Sequence, residues 1–236
     1  MTVPVSRIAT YVAGQEWEHA LDWAAEQLLQ ITSYLADDAA GSKGLYWHGF
    51  DAATGRHSCC KWGRANGWAM MAKVEILRAM AAVQKRRPGA INATRFARVK
   101  AALVTHATAL AEVQAPDGRW HQVLDKPQTY LETSVTAMNV FAMATALRMG
   151  WLEVQPFNVT VARAWEGLAS TVQKDGTVNG ISSGAGIKAN VSEYAAVGTN
   201  YSNSLDGGLG SVLRAAAAVQ LLDIYGPGAG GGESEA

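Results

Sequence analysis

The chain has 236 residues, 49% of them hydrophobic, and its 20 basic and 20 acidic side chains cancel. That is enough apolar material for one large buried core, and no shift in composition separates two domains. Balanced charge, with no basic run longer than Lys85, Arg86 and Arg87, argues against a nucleic acid or an anionic membrane as partner.

No apolar run reaches the roughly 20 residues that a membrane span needs, and the start of the chain as given lacks the charged-then-apolar layout of a secretory signal. Small molecules are the expected partners. Composition leaves the compartment and the oligomeric state open. The two cysteines, Cys59 and Cys60, are neighbours, where a bridge is strained, and they make no metal-ligand spacing.

In chain order, residues 3–12 read as a leading apolar helix. Over 15–37 the apolar residues Trp17, Leu21, Ala24, Leu28, Ile31 and Leu35 alternate steps of four and three, one face of an amphipathic helix, with Glu16, Asp22, Glu26, Gln27 and Gln30 opposite. Residues 66–83 differ: Trp68, Met70, Met71, Val74, Ile76, Leu77 and Met80 cover nearly the whole circumference, the pattern of a buried helix. The contrast repeats, with 94–114 amphipathic and 132–149 apolar all round. Phe157, Val161, Trp165, Leu168 and Val172 mark another amphipathic helix, and 206–225 another mostly apolar one. No strand pattern stands out, although the long loops have room for short strands. The Gly-rich tail, 226–236, reads as disordered after a folded unit spanning 1–225.

The order is therefore inner, outer, inner, outer, inner, outer, inner. Links into the outer helices are short (13–14, 84–93, 150–156), and links into the inner helices are long (38–65, 115–131, 173–205). All the long loops then gather on one face, where the N-termini of the inner helices converge and where anionic ligands are favoured. Concentric helices with function at one end describe an all-α (α/α) toroid in preference to an α-solenoid.

The first long loop and the helix start after it concentrate Trp47, His48, Asp51, Trp62, Arg64, Asn66 and Trp68. Aromatic faces stack on pyranose rings, Arg pairs with carboxylates, and an Asp can carry a proton, so the set reads as a sugar site. For Asp51 a turn-forming role competes, because Ala-Ala-Thr-Gly follows it. The second loop offers Trp120, His121, Gln122, Asp125, Tyr130 and Glu132, and the third Lys188, Glu193, Tyr194, Tyr201 and Asp206. Asp125 also reads as a plain loop residue, Glu132 as the acidic first turn of a helix, and Asp206 as an N-cap. Phosphate-loop, G-x-S-x-G and H-E-x-x-H patterns are missing, so neither a nucleotide nor any other cofactor or metal is implied.

The segments LYWHGFD and WGRANGW, followed in order by DGRWHQVLD, YLETSVTAM and GGLGSVLRAAAAV, resemble glycoside hydrolase families 105 and 88, the unsaturated rhamnogalacturonyl and glucuronyl hydrolases. The resemblance implies an (α/α)6 barrel of six helical hairpins. It also implies a substrate, an oligosaccharide ending in a 4,5-unsaturated uronic acid, released by pectin and rhamnogalacturonan lyases. In such a reaction an Asp protonates the vinyl-ether double bond at C4, water adds at C5, and the hemiketal opens to release the next sugar. By its place in the HxxD stretch, Asp51 is the implied general acid and base, and burial among Trp47, Trp62 and Trp68 would raise its pKa. The same resemblance assigns substrate contacts to His48, Trp62, Arg64 and Trp68, and places Trp120 and Gln122 either in the site or in its support.

One departure lies at the start, where Met1, Thr2, Val3 and Pro4 match only the close of a W-x-D-x-L-F-M-S-V-P-like family segment. Its Asp, a second active-site acid, would fall upstream of Met1. About seven helices also leave about five of a twelve-helix barrel unaccounted for, so the expectation is an incomplete barrel with exposed apolar flanks. Two other functions compete. One is a truncated, inactive or binding-only member; the other is a different (α/α)6 enzyme such as a sugar epimerase, whose proton shuttle would draw on His48, His57 and His121.

Overall fold

The computed structural model describes residues 15–41, 43–199 and 208–225. The expected helix over 3–12, Tyr201, the Asp206 cap and the tail 226–236 lie outside the described residues.

Helix α1 (Gln15–Leu35) packs against α2 (Gly63–Arg86) and α3 (Ala93–Glu112). Helix α4 (Thr133–Arg148) lies between α2 and α7 (Leu209–Tyr225), and α5 (Val154–Ala169) packs on α4 and α7. The inner row is thus α2, α4, α7 and the outer row α1, α3, α5, the alternation expected from patterning. The short helix α6 (Val191–Ala195), inside the third long loop, was not expected. Its five residues are too few for a periodic signal, and Asn190 starts it by accepting from Glu193 N at 3.1 Å.

Helix α4 shows why an all-apolar circumference means an inner position. Every residue from Thr133 to Leu147 is buried, and each fully buried Val, Leu, Met or Phe side chain contributes about 1.5–3 kcal/mol. Glu132 caps it, accepting from Ser134 N and Val135 N. The outer helices bury one stripe each: on α3 this is Val99, Leu103, His106, Ala107 and Leu110. Arg95 on α3 ties back to α1 through Asp22 and, at 3.2 Å, Glu26.

One detail of α1 departs from the pattern. Its buried residues are Leu21, Ala24, Ala25, Leu28 and Leu29, while Ile31 is 46% exposed. The last turn faces the first loop instead of the core: the Tyr34 ring lies 5.2 Å from Phe50, and the Tyr34 carbonyl meets His57 Nε2 at 2.7 Å.

The long loops do hold short strands. β1 (Phe50–Asp51) pairs antiparallel with β2 (Arg56–His57), and β3 (Trp120–His121) with β4 (Leu131–Glu132). Isolated bridges join Trp62 to Val123 and Ala36 to Tyr46. One continuous apolar core runs through the helices, and a small satellite of Cys60, Trp62, Val123 and Tyr194 sits under the loops. Cys59 and Cys60 are joined in a disulfide despite the strain argument. No helix among the described residues is long and apolar enough to cross a membrane.

Candidate active site

The site grows from the first turns of α2 and α4, the two inner helices. Gly63 and Gly67 stand one turn apart on α2, on the side facing α4. A methyl group on Gly63 would lie 2.9 Å from the His121 carbonyl oxygen, and one on Gly67 would lie 2.8 Å from Met138 Sδ. The glycines of WGRANGW therefore set the approach of the two helices. Asn66 completes the frame: Oδ1 accepts from Tyr46 N at 2.8 Å, and Nδ2 donates to the Tyr46 and Trp62 carbonyls, each at 2.9 Å. This clasp joins the loop segment that carries His48 to the start of the helix that carries Arg64.

Arg64 is buried. Its Nε donates to Ser134 Oγ at 2.9 Å, Nη2 donates to the Ser182 carbonyl, and Glu132 lies 3.6 Å away. Glu132 in turn accepts from Ser134 Oγ and from Ser182 N at 2.9 Å. Gln122 Nε2 donates to Ser182 Oγ at 3.1 Å. One buried Arg–Glu pair thus pins all three long loops together. Arg64 Nη1 makes no hydrogen bond to another described residue, and the side chain as a whole is only 8% accessible.

Beside it, His48 packs against Trp62 at 4.6 Å, and His48 Nδ1 lies 2.6 Å from the Tyr194 hydroxyl. Burial lowers the His48 pKa, which keeps the ring neutral at pH 7. Trp62 is mostly buried, with Nε1 unpaired among the described residues, whereas Trp68 is 44% exposed one turn beyond Arg64 on the same helix face. Trp47 carries Lys61 over its ring at 4.0 Å, and Lys61 is held between Asp37 at 2.9 Å and Asp125 at 3.0 Å. Asp125 therefore ties the first loop to the second.

One expectation needs correction. Asp51 is exposed at the β1–β2 turn and is not buried among tryptophans. Its Oδ2 accepts from Thr54 Oγ1 at 2.7 Å and its Oδ1 from Ala53 N at 2.9 Å. Those bonds, the Thr54 one first, lower its pKa where burial was expected to raise it. Of the two readings of Trp120, the structure favours support, because the ring is fully buried in the core with Nε1 donating to the Leu110 carbonyl at 2.7 Å. Gln122 is likewise buried beneath Ser182. Of the three histidines of an epimerase-like shuttle, His48 meets the Tyr194 hydroxyl, His57 the Tyr34 carbonyl and His121 the Thr129 carbonyl.

The family model for Glycosyl Hydrolase Family 88 matches residues 1–221. The chain belongs to this family. Relatives of this family 88 chain include the unsaturated rhamnogalacturonyl hydrolase YesR of Bacillus subtilis (strain 168), 28% identical over 154 residues, which cover 65% of this chain and 40% of YesR. The unsaturated 3S-rhamnoglycuronyl hydrolase of Formosa agariphila is 29% identical over 119 residues, covering 50% of this chain and 29% of that protein. Among solved structures, a family 105 glycoside hydrolase from C. acetobutylicum superposes with a TM-score of 0.76 at 26% identity, covering 94% of this chain and 62% of its own. The chain thus spans less than two thirds of each of these relatives, and within that span it has the helical arrangement of the (α/α)6 barrel.

Of the third-loop residues in the cluster, Tyr194 was already a candidate in the sequence and Ser182 was not. Both come from a Gly-, Ser- and Asn-rich stretch with no periodicity, and only the folded chain brings them to His48 and Arg64.

Proposed function

We propose that this chain takes part in the hydrolysis of unsaturated uronyl oligosaccharides of the rhamnogalacturonan type, by hydration of the C4–C5 double bond. The observation that supports this reading most is the cluster of His48, Trp62, Arg64 and Trp68 on the loop face of a family 88 scaffold. The Arg64 guanidinium suits the uronate carboxylate, the exposed Trp68 ring suits a sugar face, and His48 suits a hydroxyl or carboxylate oxygen. In the reaction, a proton goes to C4, the oxygen of water bonds to C5, and that water's own proton goes to a base. The hemiketal so formed opens, and the next sugar leaves.

Asp51 is the carboxylate proposed for proton transfer on the strength of the resemblance. A second reading has a specific observation in its favour: both Asp51 oxygens are spent on its own turn, and its pKa is lowered. On that reading these loops bind the acidic sugar and the proton comes from another group.

Loss of the ultraviolet absorbance of the conjugated double bond, with unsaturated rhamnogalacturonan disaccharide as substrate, tests both. Turnover by the wild-type chain that falls about 100-fold or more in Asp51→Asn assigns the proton to Asp51. Near-normal turnover in Asp51→Asn assigns it elsewhere. Binding of the disaccharide without turnover supports the binding-only reading, and no binding at all overturns the proposal. Trp68→Ala is expected to weaken binding about 10-fold through lost stacking, read by titration with the same disaccharide.

A further inference from the structure

We propose that Tyr194 is a positioning residue that fixes the tautomer of His48, so that His48 presents Nε2–H as a neutral donor to an oxygen-rich, acidic sugar. The proposal rests on the reading of this loop face as a uronyl site.

Tyr194 stands on α6, 146 positions from His48 in sequence. Its side chain is fully buried, packed with Cys60, Trp62 and Val123. The hydroxyl oxygen lies 2.6 Å from His48 Nδ1 and accepts from the Lys188 backbone N–H at 3.3 Å. Two proton arrangements are conceivable for the short contact. If His48 Nδ1–H donated to the tyrosine oxygen, the buried Tyr194 O–H would be left with no acceptor among the described residues, a costly state. If Tyr194 donates to Nδ1, every polar group of the pair is satisfied. His48 Nδ1 is then the acceptor, and the ring proton sits on Nε2.

The rest of the ring is placed to use that proton. The His48 backbone is pinned by its N–H to the Cys60 carbonyl at 3.0 Å, and the ring lies against Trp62. Nε2 has no protein partner among the described residues, and burial keeps the ring uncharged at pH 7. His48 and Arg64 both lie against the Trp62 ring, at 4.6 and 5.6 Å, so the cluster groups donors that suit carboxylate and hydroxyl oxygens. Without Tyr194, the neutral ring would divide between two tautomers, one of which presents a lone pair to the ligand.

The test combines imidazole ¹⁵N NMR on the full chain with titration of unsaturated rhamnogalacturonan disaccharide. Wild-type His48 is expected in the Nε2–H form. Tyr194→Phe, which keeps the buried ring, is expected to give mixed tautomers and about 5-fold weaker binding. His48→Gln carries a donor that needs no tautomer, so adding Tyr194→Phe to it should cost nothing more. A merely structural tyrosine would cause the same loss in both backgrounds. Protonation of Nδ1 in the wild type, an unchanged tautomer in Tyr194→Phe, or equal losses in the two backgrounds would each overturn the proposal. Failure of the wild type to bind the disaccharide would instead overturn the uronyl reading, while the NMR result still decides the tautomer.

Discussion

Residues 50–57 and residues 62–68 belong to one loop-to-helix run, yet they are held in opposite ways. The Asp51 carboxylate is tied only by its own neighbours, Thr54 and Ala53, while its hairpin meets the rest of the fold through Phe50 and His57 at Tyr34. The helix start around Arg64 is tied by residues 20 to 118 positions away, namely Tyr46, Ser134 and Ser182. A polar side chain with local partners can stay in water, whereas one with distant partners is drawn under the loops. The likeness in composition between the two segments conceals this difference in mechanical role.

Removing a distant partner should have the largest effect. Arg64→Ala strands the buried Glu132 carboxylate and is expected to destabilise the chain by about 3–5 kcal/mol in denaturant unfolding. Adding Glu132→Gln should recover part of that loss, because the stranded charge is then gone. If Arg64→Ala melts like the wild type, the contrast between the two segments fails.

An effect of comparable size, spread over pH, tests the layer beneath the same helix. Lys73 on α2 is fully buried, with Nζ 2.9 Å from His106 Nδ1 and 4.2 Å above the Tyr46 ring; His106 Nε2 in turn meets Asn66 Oδ1 at 3.0 Å. Burial lowers the Lys73 pKa from 10.5 to about 7 and lowers that of His106 well below its ordinary value. Between those two lysine values the unfolded chain holds a proton that the folded chain has released. Stability should therefore rise with pH from about 7 towards 10.5, by up to about 1.4 kcal/mol per pH unit. Unfolding curves across that range check the sign, and Lys73→Met should flatten the dependence.

The smallest effect belongs to the hairpin. Asp51→Ala removes only local bonds at an exposed turn and should shift the melting temperature by no more than about 2 °C. A large drop would mean that the Asp51 side chain is held by more than its own turn.

Helix positions were legible because burial on an inner or outer row imposes a period of its own. The apolar circumference of 132–149 became α4 at Thr133–Arg148, and the single stripe of 94–114 became α3 at Ala93–Glu112. Ile31 misled because its period continued after the helix had turned from the core to the hairpin. Within the site, the motif residues Trp62, Arg64 and Trp68 were legible as a unit, since one helix start carries all three. The surroundings of Asp51 were not. A cluster of aromatic letters does not say whether the acid among them points inward, and the Ala-Ala-Thr-Gly after it was the truer signal.

Sequence by itself determined the alternation of inner and outer helices, the face on which the long loops meet, and the family. All of these rest on periodicity, link length and short contiguous motifs, which are local properties of a chain. Only the tertiary structure decided that Arg64 is locked to Glu132 and Ser182, that Trp120 lies in the core, and that Tyr194 faces His48. Those facts depend on which distant groups become each other's only available partners once water is excluded, and no local pattern encodes that.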